Sequence, residues 1–226
     1  MRSTSPDGPL PVLLLVLTGV TGLVDAVSYL KLGHVFVANM TGNVVFLGFA
    51  VGDAADFSIP ASLLAIAAFL AGALVGGRIA SSAGHHRARL LTITTYLQIA
   101  LVGAALVVSM VGAFVQYSLI ALLALAMGLQ NATARRLGVP DLTTTVLTLT
   151  LTGLAADSTL AGGKNPHPGR RLLATATMFL GAAVGAFLVF HVGVIAVLAL
   201  AFALLVVNGI ASYRFRSSSE TWTVGA

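Results

Sequence analysis

The chain has 226 residues, 58% of them hydrophobic and only 8% charged, and its mean hydropathy is +0.99. A soluble domain carries about 25% charged residues, so the composition excludes a water-soluble fold and points to an integral membrane protein. The net charge of +5 does not indicate a nucleic-acid partner, because the basic residues fall between apolar runs and read as topology signals. With no cysteine, disulfides, thiolate chemistry and cysteine metal ligands are excluded as well.

The apolar runs are long enough for transmembrane helices rather than β-barrel strands of about ten residues. After a polar tail at 1–10, residues 11–30 form a first span. It lacks a small-x-small cleavage site and leads directly to Asp25, so it reads as a retained helix and not a signal peptide. Residues 34–51 are apolar but interrupted by Thr41-Gly42-Asn43, where a backbone break is expected. Spans follow at 60–79 and 90–111, the former with Pro60 at a tolerated helix start. Residues 116–134 are a fifth apolar segment, closed by Arg135-Arg136, and 142–156 are short and threonine-rich. The last spans are 172–190 and 194–211, before a basic, serine-rich tail at 212–226. Tyr29, Tyr117 and Tyr213 lie near span ends, where tyrosine serves as an interfacial anchor.

If all eight segments crossed, the twelve Lys and Arg residues would divide six to six and set no orientation. If 34–51 and 142–156 each return to the side they left, eleven fall on one face and only Lys31 lies opposite, near Asp53 and Asp56. The charge asymmetry of membrane proteins favours this second arrangement: six spans, two re-entrant segments and both termini cytoplasmic.

The two halves carry an internal repeat. Gly22-Leu23 recurs as Gly128-Leu129 and Asp25-Ala26 as Asn131-Ala132, both at an offset of 106. Thr41 recurs as Thr148 at 107, and GALVG at 72–76 recurs as GAAVG at 181–185, at 109. With three spans per repeat (11–111 and 116–211), the second copy is expected to be inverted in the membrane. The predicted fold is therefore a single all-α polytopic domain of two inverted three-span repeats.

The stretches GLVDAVSYL, VFVANMTGN and AMGLQNATARRL resemble the YoaK-like family of small bacterial inner-membrane proteins, a domain of unknown function. The resemblance covers nearly the whole chain, and ANMTGN is its most specific part. It implies about six spans and an inner-membrane location, and it implies no activity. Such proteins tend to carry a threonine-glycine-threonine step in the second half, where this chain has Thr148-Leu149-Thr150.

Polar groups at membrane depth are costly unless paired or facing water, which makes them functional candidates. Thr18, Gly22, Asp25 and Tyr29 share one helix face, and the repeat places Gly128 and Asn131 on the matching face of the fifth segment. The candidate solute- or ion-binding residues are Asp25, Asn39, Thr41, Gly42, Asn43, Gln130, Asn131, Thr148 and Thr150. Asp25 is either a proton or cation carrier or a carboxyl bonded to a neighbouring segment. The glycine pairs Gly72/Gly76 and Gly181/Gly185 read as helix-packing faces.

No histidine cluster has metal-ligand spacing on one helix face, and no phosphate loop, nucleophile elbow or HExxH motif is present. Neither an enzyme nor a cofactor is expected. The leading expectation is a small channel or secondary transporter for a small solute, with proton or cation coupling as an option. The alternative is a membrane scaffold or assembly protein that transports nothing. Lipid, a small solute and a second copy of the chain are the candidate partners.

Overall fold

The computed structural model describes residues 7–54, 56–84, 86–112, 115–142, 144, 147–164, 167–216 and 221–223. These form eight α-helices and no strand. Six are long and apolar enough to cross a membrane: α1 (Leu10–Lys31), α3 (Ile59–Ser82), α4 (Arg87–Val111), α5 (Val115–Leu137), α7 (Pro168–His191) and α8 (Val194–Tyr213). The other two, α2 (Met40–Val51) and α6 (Leu147–Ala156), have 12 and 10 residues. At about 18 and 15 Å they are too short for a hydrocarbon core of about 30 Å. The protein is thus an all-helical polytopic membrane protein with six candidate spans and two half-length helices. Arg2, one of the twelve basic residues, Thr143 and Thr145 of the threonine-rich segment, and His85 lie outside the described residues.

Polar contacts define the two ends of the bundle. At one end Asp7 pairs with Arg87 (3.2 Å) and Arg170 (3.1 Å). There Arg87 also donates to the Leu137 carbonyl (2.7 Å), and Arg171 pairs with Asp141 and Asp157, each at 2.8 Å. The buried Trp222 packs edge-on to Phe215 and covers Gly8, which brings these three residues together at this basic end. At the other end Lys31 Nζ lies 5.6 Å from the Phe190 ring centroid. Gln116 Nε2 donates to the Leu32 carbonyl there (3.1 Å), and His34 meets Phe57. Residues on both flanks of α2 therefore sit at the Lys31 end, and both flanks of α6 sit at the basic end. Each half-length helix returns to the end its segment came from.

This arrangement sets an expected labelling pattern in a chain free of cysteine. Gly84→Cys and Lys164→Cys should react with an impermeant thiol reagent from the same side of a sealed vesicle, and Ala54→Cys from the other. Labelling of Gly84→Cys and Lys164→Cys from opposite sides would mean that one half-length segment crosses.

The inner helices are α1 and α5, whose apolar stretches are 72% and 61% buried against 22–39% for the other spans. α1 packs on α7 and α8, and α5 on α3 and α4. Each inner helix thus finds its main partners in the other half of the sequence, in matching ways. A Cβ on Gly22 would stand 2.6 Å from the Ala182 nitrogen of α7, and one on Gly128 would stand 2.9 Å from the Ala73 nitrogen of α3. A Cβ on Gly185 would meet Cβ of Ala26, and one on Gly76 would meet Cβ of Ala132, both at 2.8 Å. The α1–α7 and α5–α3 contacts thus place glycines matched by the sequence offsets at similar close approaches, with glycine allowing backbone to touch backbone. A buried amide relay ties three helices together. Gln98 of α4 donates to Gln130 Oε1 of α5 (3.0 Å), and Gln130 donates to Thr21 Oγ1 of α1 (2.8 Å).

Candidate functional site

The helix break expected at Thr41-Gly42-Asn43 lies earlier in the chain. α1 ends at Lys31, Gly33 and His34 take positive φ (89° and 57°), and residues up to Asn39 are not helical. Thr41, Gly42 and Asn43 instead form the first turn of α2. Side-chain groups hold the extended stretch in place. Asn43, fully buried, accepts from the Phe36 N–H through Oδ1 (2.8 Å) and donates to the Phe36 carbonyl through Nδ2 (2.6 Å). Asp25 Oδ1 accepts from the N–H groups of Val37 and Ala38 (3.2 and 3.0 Å). Backbone that leaves a helix at membrane depth needs such partners, because no bulk water is there to supply them.

These contacts frame a cavity of about 820 Å³. Of the polar residues singled out in the sequence, Asp25, Asn39, Thr41, Gly42, Asn131 and Thr148 all line it. The first turns of both half-length helices reach the cavity, α2 through Met40 to Gly42 and α6 through Leu147 and Thr148. Backbone N–H groups in a helix's first turn lack intrahelical acceptors and carry partial positive charge, so two such ends supply donors for a polar or anionic group. Asp25, held to the stretch just before α2, also lines the cavity and presents a carboxyl whose Oδ2 has no hydrogen bond among the described residues, while Oδ1 is committed to the extended stretch. The cavity thus offers hydrogen-bond donors, acceptors and one acidic group within an apolar wall, the general character of small-molecule sites.

The remaining candidates lie elsewhere. Asn43 serves the backbone of Phe36. Gln130 is buried in the relay between α4 and α1, and Thr150 is buried on α6 outside the cavity lining.

The sequence matches, over residues 13–211, the family described as protein of unknown function (DUF1275). The chain belongs to this family. It is similar to the UPF0700 transmembrane protein YoaK of Bacillus subtilis (strain 168), with 36% identity over 147 residues. That alignment covers 64% of this chain and 65% of the relative, so it spans less than two thirds of the relative's length. No solved structure matches.

In this family member the glycine of the ANMTGN block has a definable task. A Cβ on Gly42 would stand 2.7 Å from the Phe36 ring and 3.6 Å from Asn39 Nδ2, whereas one on Gly48 meets nothing within 4 Å. Gly42→Leu should displace Phe36 and cost roughly 1–3 kcal/mol by overpacking. Gly48→Leu should be near neutral in the same thermal-unfolding assay. Equal loss in both would mean that α2 does not hold Phe36 against its first turn.

Sequence reasoning misses the apolar lining. Phe69 of α3 and Met178 of α7 both face the cavity, and continuing the GALVG/GAAVG match three positions upstream pairs them. Tyr29, expected as an interfacial anchor, lines the cavity and stacks on Phe36 (5.1 Å), and Phe46 continues the stack to Phe57 (4.9 Å). Arg171 carries only a topology signal in the sequence. In the fold it clasps Asp141 before α6 and Asp157 after it, and the missing side chain of Gly153 makes room for its guanidinium.

Proposed function

We propose that the protein is a small channel or secondary transporter for a small polar solute, held at the cavity shared by Asp25, Asn39, Thr41, Asn131 and Thr148. One observation carries this reading: half-length helices from both halves of the chain bring their first turns to one cavity. Paired broken segments meeting near the middle of a bundle are a recurring plan for solute sites in transporters. The cavity also carries residues that match at the repeat offsets, Asp25 with Asn131, Thr41 with Thr148 and Phe69 with Met178. Together with the duplicated glycine contacts, this supports two inverted three-span repeats, 11–111 and 116–211. The concentration of Lys and Arg at one end supports an inner-membrane topology with both termini cytoplasmic.

The test is a thermal-shift screen of the purified protein against a library of small polar solutes, followed by titration of each hit. Asn39→Ala and Thr148→Ala, each removing one cavity-lining polar group, should weaken binding of a true ligand by roughly tenfold, the equivalent of about 1.4 kcal/mol. If no solute shifts the protein, or if both variants bind unchanged, the cavity is not a solute site. A scaffold or assembly role would then fit better.

A further inference from the structure

A second cleft of about 850 Å³ lies between α3 and α5. The repeat relates it to the cavity already described. In the first cavity α1 contributes Asp25, Ala26, Tyr29 and Leu30, and in the second α5 contributes Asn131, Ala132, Arg135 and Arg136, which match them one by one at the offset of the Gly22/Gly128 pair. In the first, α7 contributes Met178, Ala182 and Ala186. In the second, α3 contributes Phe69, Ala73 and Gly77, which match those three at the offset of the GALVG/GAAVG pair. The linings extend toward opposite ends of the bundle. Tyr29 and Leu30 of the first lining lie next to Lys31, while Ser81, Arg135 and Arg136 of the second lie next to the ends of α3 and α5 at the basic end. They adjoin at their floors, where Phe69 and Asn131 line both.

We propose that the second cleft is the opposite aqueous vestibule of a path through the bundle, that Phe69 is the partition between the two vestibules, and that the second vestibule admits small anions. Two further observations support this. A Cβ on Gly77 meets nothing within 4 Å, so the middle of the cleft is open space. Arg135 and Arg136 are exposed, and neither makes a hydrogen bond or ion pair among the described residues. Arg87, Arg170 and Arg171 at the same end are all paired with aspartates. The repeat-related positions in the first cavity are Tyr29 and Leu30. The two mouths therefore differ by two positive charges, and an unpaired guanidinium pair at an apolar mouth concentrates anions.

The inference rests on the transport reading. Its test uses water-borne reagents and no solute, so the path can fail while solute binding in the first cavity stands. In sealed vesicles of both orientations, Gly77→Cys should react with a membrane-impermeant methanethiosulfonate only from the side that labels Gly84→Cys. Ala186→Cys should react only from the side that labels Ala54→Cys. At Gly77→Cys the sulfonate reagent should outpace the trimethylammonium reagent at least fivefold, relative to their rates with free cysteine. Adding Arg135→Gln and Arg136→Gln should bring that ratio within twofold of unity. Phe69→Ala should open Ala186→Cys to the basic side by at least tenfold. Phe69→Leu serves as a milder variant, and retained labelling of Ala186→Cys from its own side shows that each variant is folded. Reaction of Gly77→Cys with lipid-soluble maleimide alone would make the cleft a lipid groove and overturn the proposal. Equal rates for the two charged reagents would overturn the anion assignment, and one-sided labelling in both folded Phe69 variants would overturn the partition.

Discussion

Gly72→Ala and Gly128→Ala should each leave the protein unable to fold, or destabilise it by roughly 3 kcal/mol or more, the upper range for overpacking a close contact. A single methyl group is enough. The Cβ on Gly72 would overlap the carbonyl oxygen of Leu125, and that on Gly128 would overlap the carbonyl oxygen of Phe69. Both obstacles are main-chain atoms of a neighbouring helix, so no rotamer change relieves them and the helices themselves must part. Gly77→Ala, further along the same helix as Gly72, meets open space and should be neutral or slightly stabilising, since alanine favours the helix by up to about 1 kcal/mol over glycine. Thermal unfolding of the three variants in detergent measures the contrast. Equal stability of Gly72→Ala and Gly77→Ala would mean that α3 and α5 are not in backbone contact.

Asp25→Leu is expected to be the other severe substitution. It strips the acceptor from the Val37 and Ala38 N–H groups, and each buried donor left without a partner costs about 1–3 kcal/mol, for an expected total of about 2–6 kcal/mol. Asp25→Asn keeps an acceptor oxygen in place of Oδ1 and should stay within about 0.5 kcal/mol of wild type. The matching position in the second half is already Asn131. Since asparagine cannot ionise, the variant separates scaffold from mechanism. If the charge of Asp25 takes part in transport, Asp25→Asn should remove the pH dependence of solute binding or flux while the protein remains folded. Identical pH profiles would leave Asp25 as the pin of the extended stretch and nothing more.

The spans are legible because a long apolar run with few charges has few other uses, and the half-length segments are legible from charge asymmetry. Asp25 and Asn131, matched in the sequence at an offset of 106, both line the cavity. The location of the break is not legible. Local preference points to Gly42, but the decisive groups are Asn43 and Asp25, which capture the backbone of residues 36–38 from 7 and 12–13 positions away. Gln130 misleads for a similar reason: a glutamine beside Asn131 looks like a lining residue, yet its partners, Gln98 and Thr21, lie 32 and 109 residues off. Phe69 and Met178 escape notice because an apolar side chain in an apolar helix carries no local signal.

The pairing of α1 with α7 has a consequence for biosynthesis. The surface that encloses α1 does not exist until the chain reaches Pro168, long after Lys31 has been made. At typical synthesis rates of about 5–20 residues per second, a gap of roughly 140 residues takes about 7–28 s. Throughout it, the glycine face of α1 must be held by lipid or by the insertion machinery. The carboxylate, by contrast, need not wait. Its two backbone donors emerge only 12 and 13 residues later, so the Asp25 clasp can close while the rest of the bundle is still unmade. The polar liability of the first span can thus be capped by its own neighbouring residues while its packing partner is still untranslated.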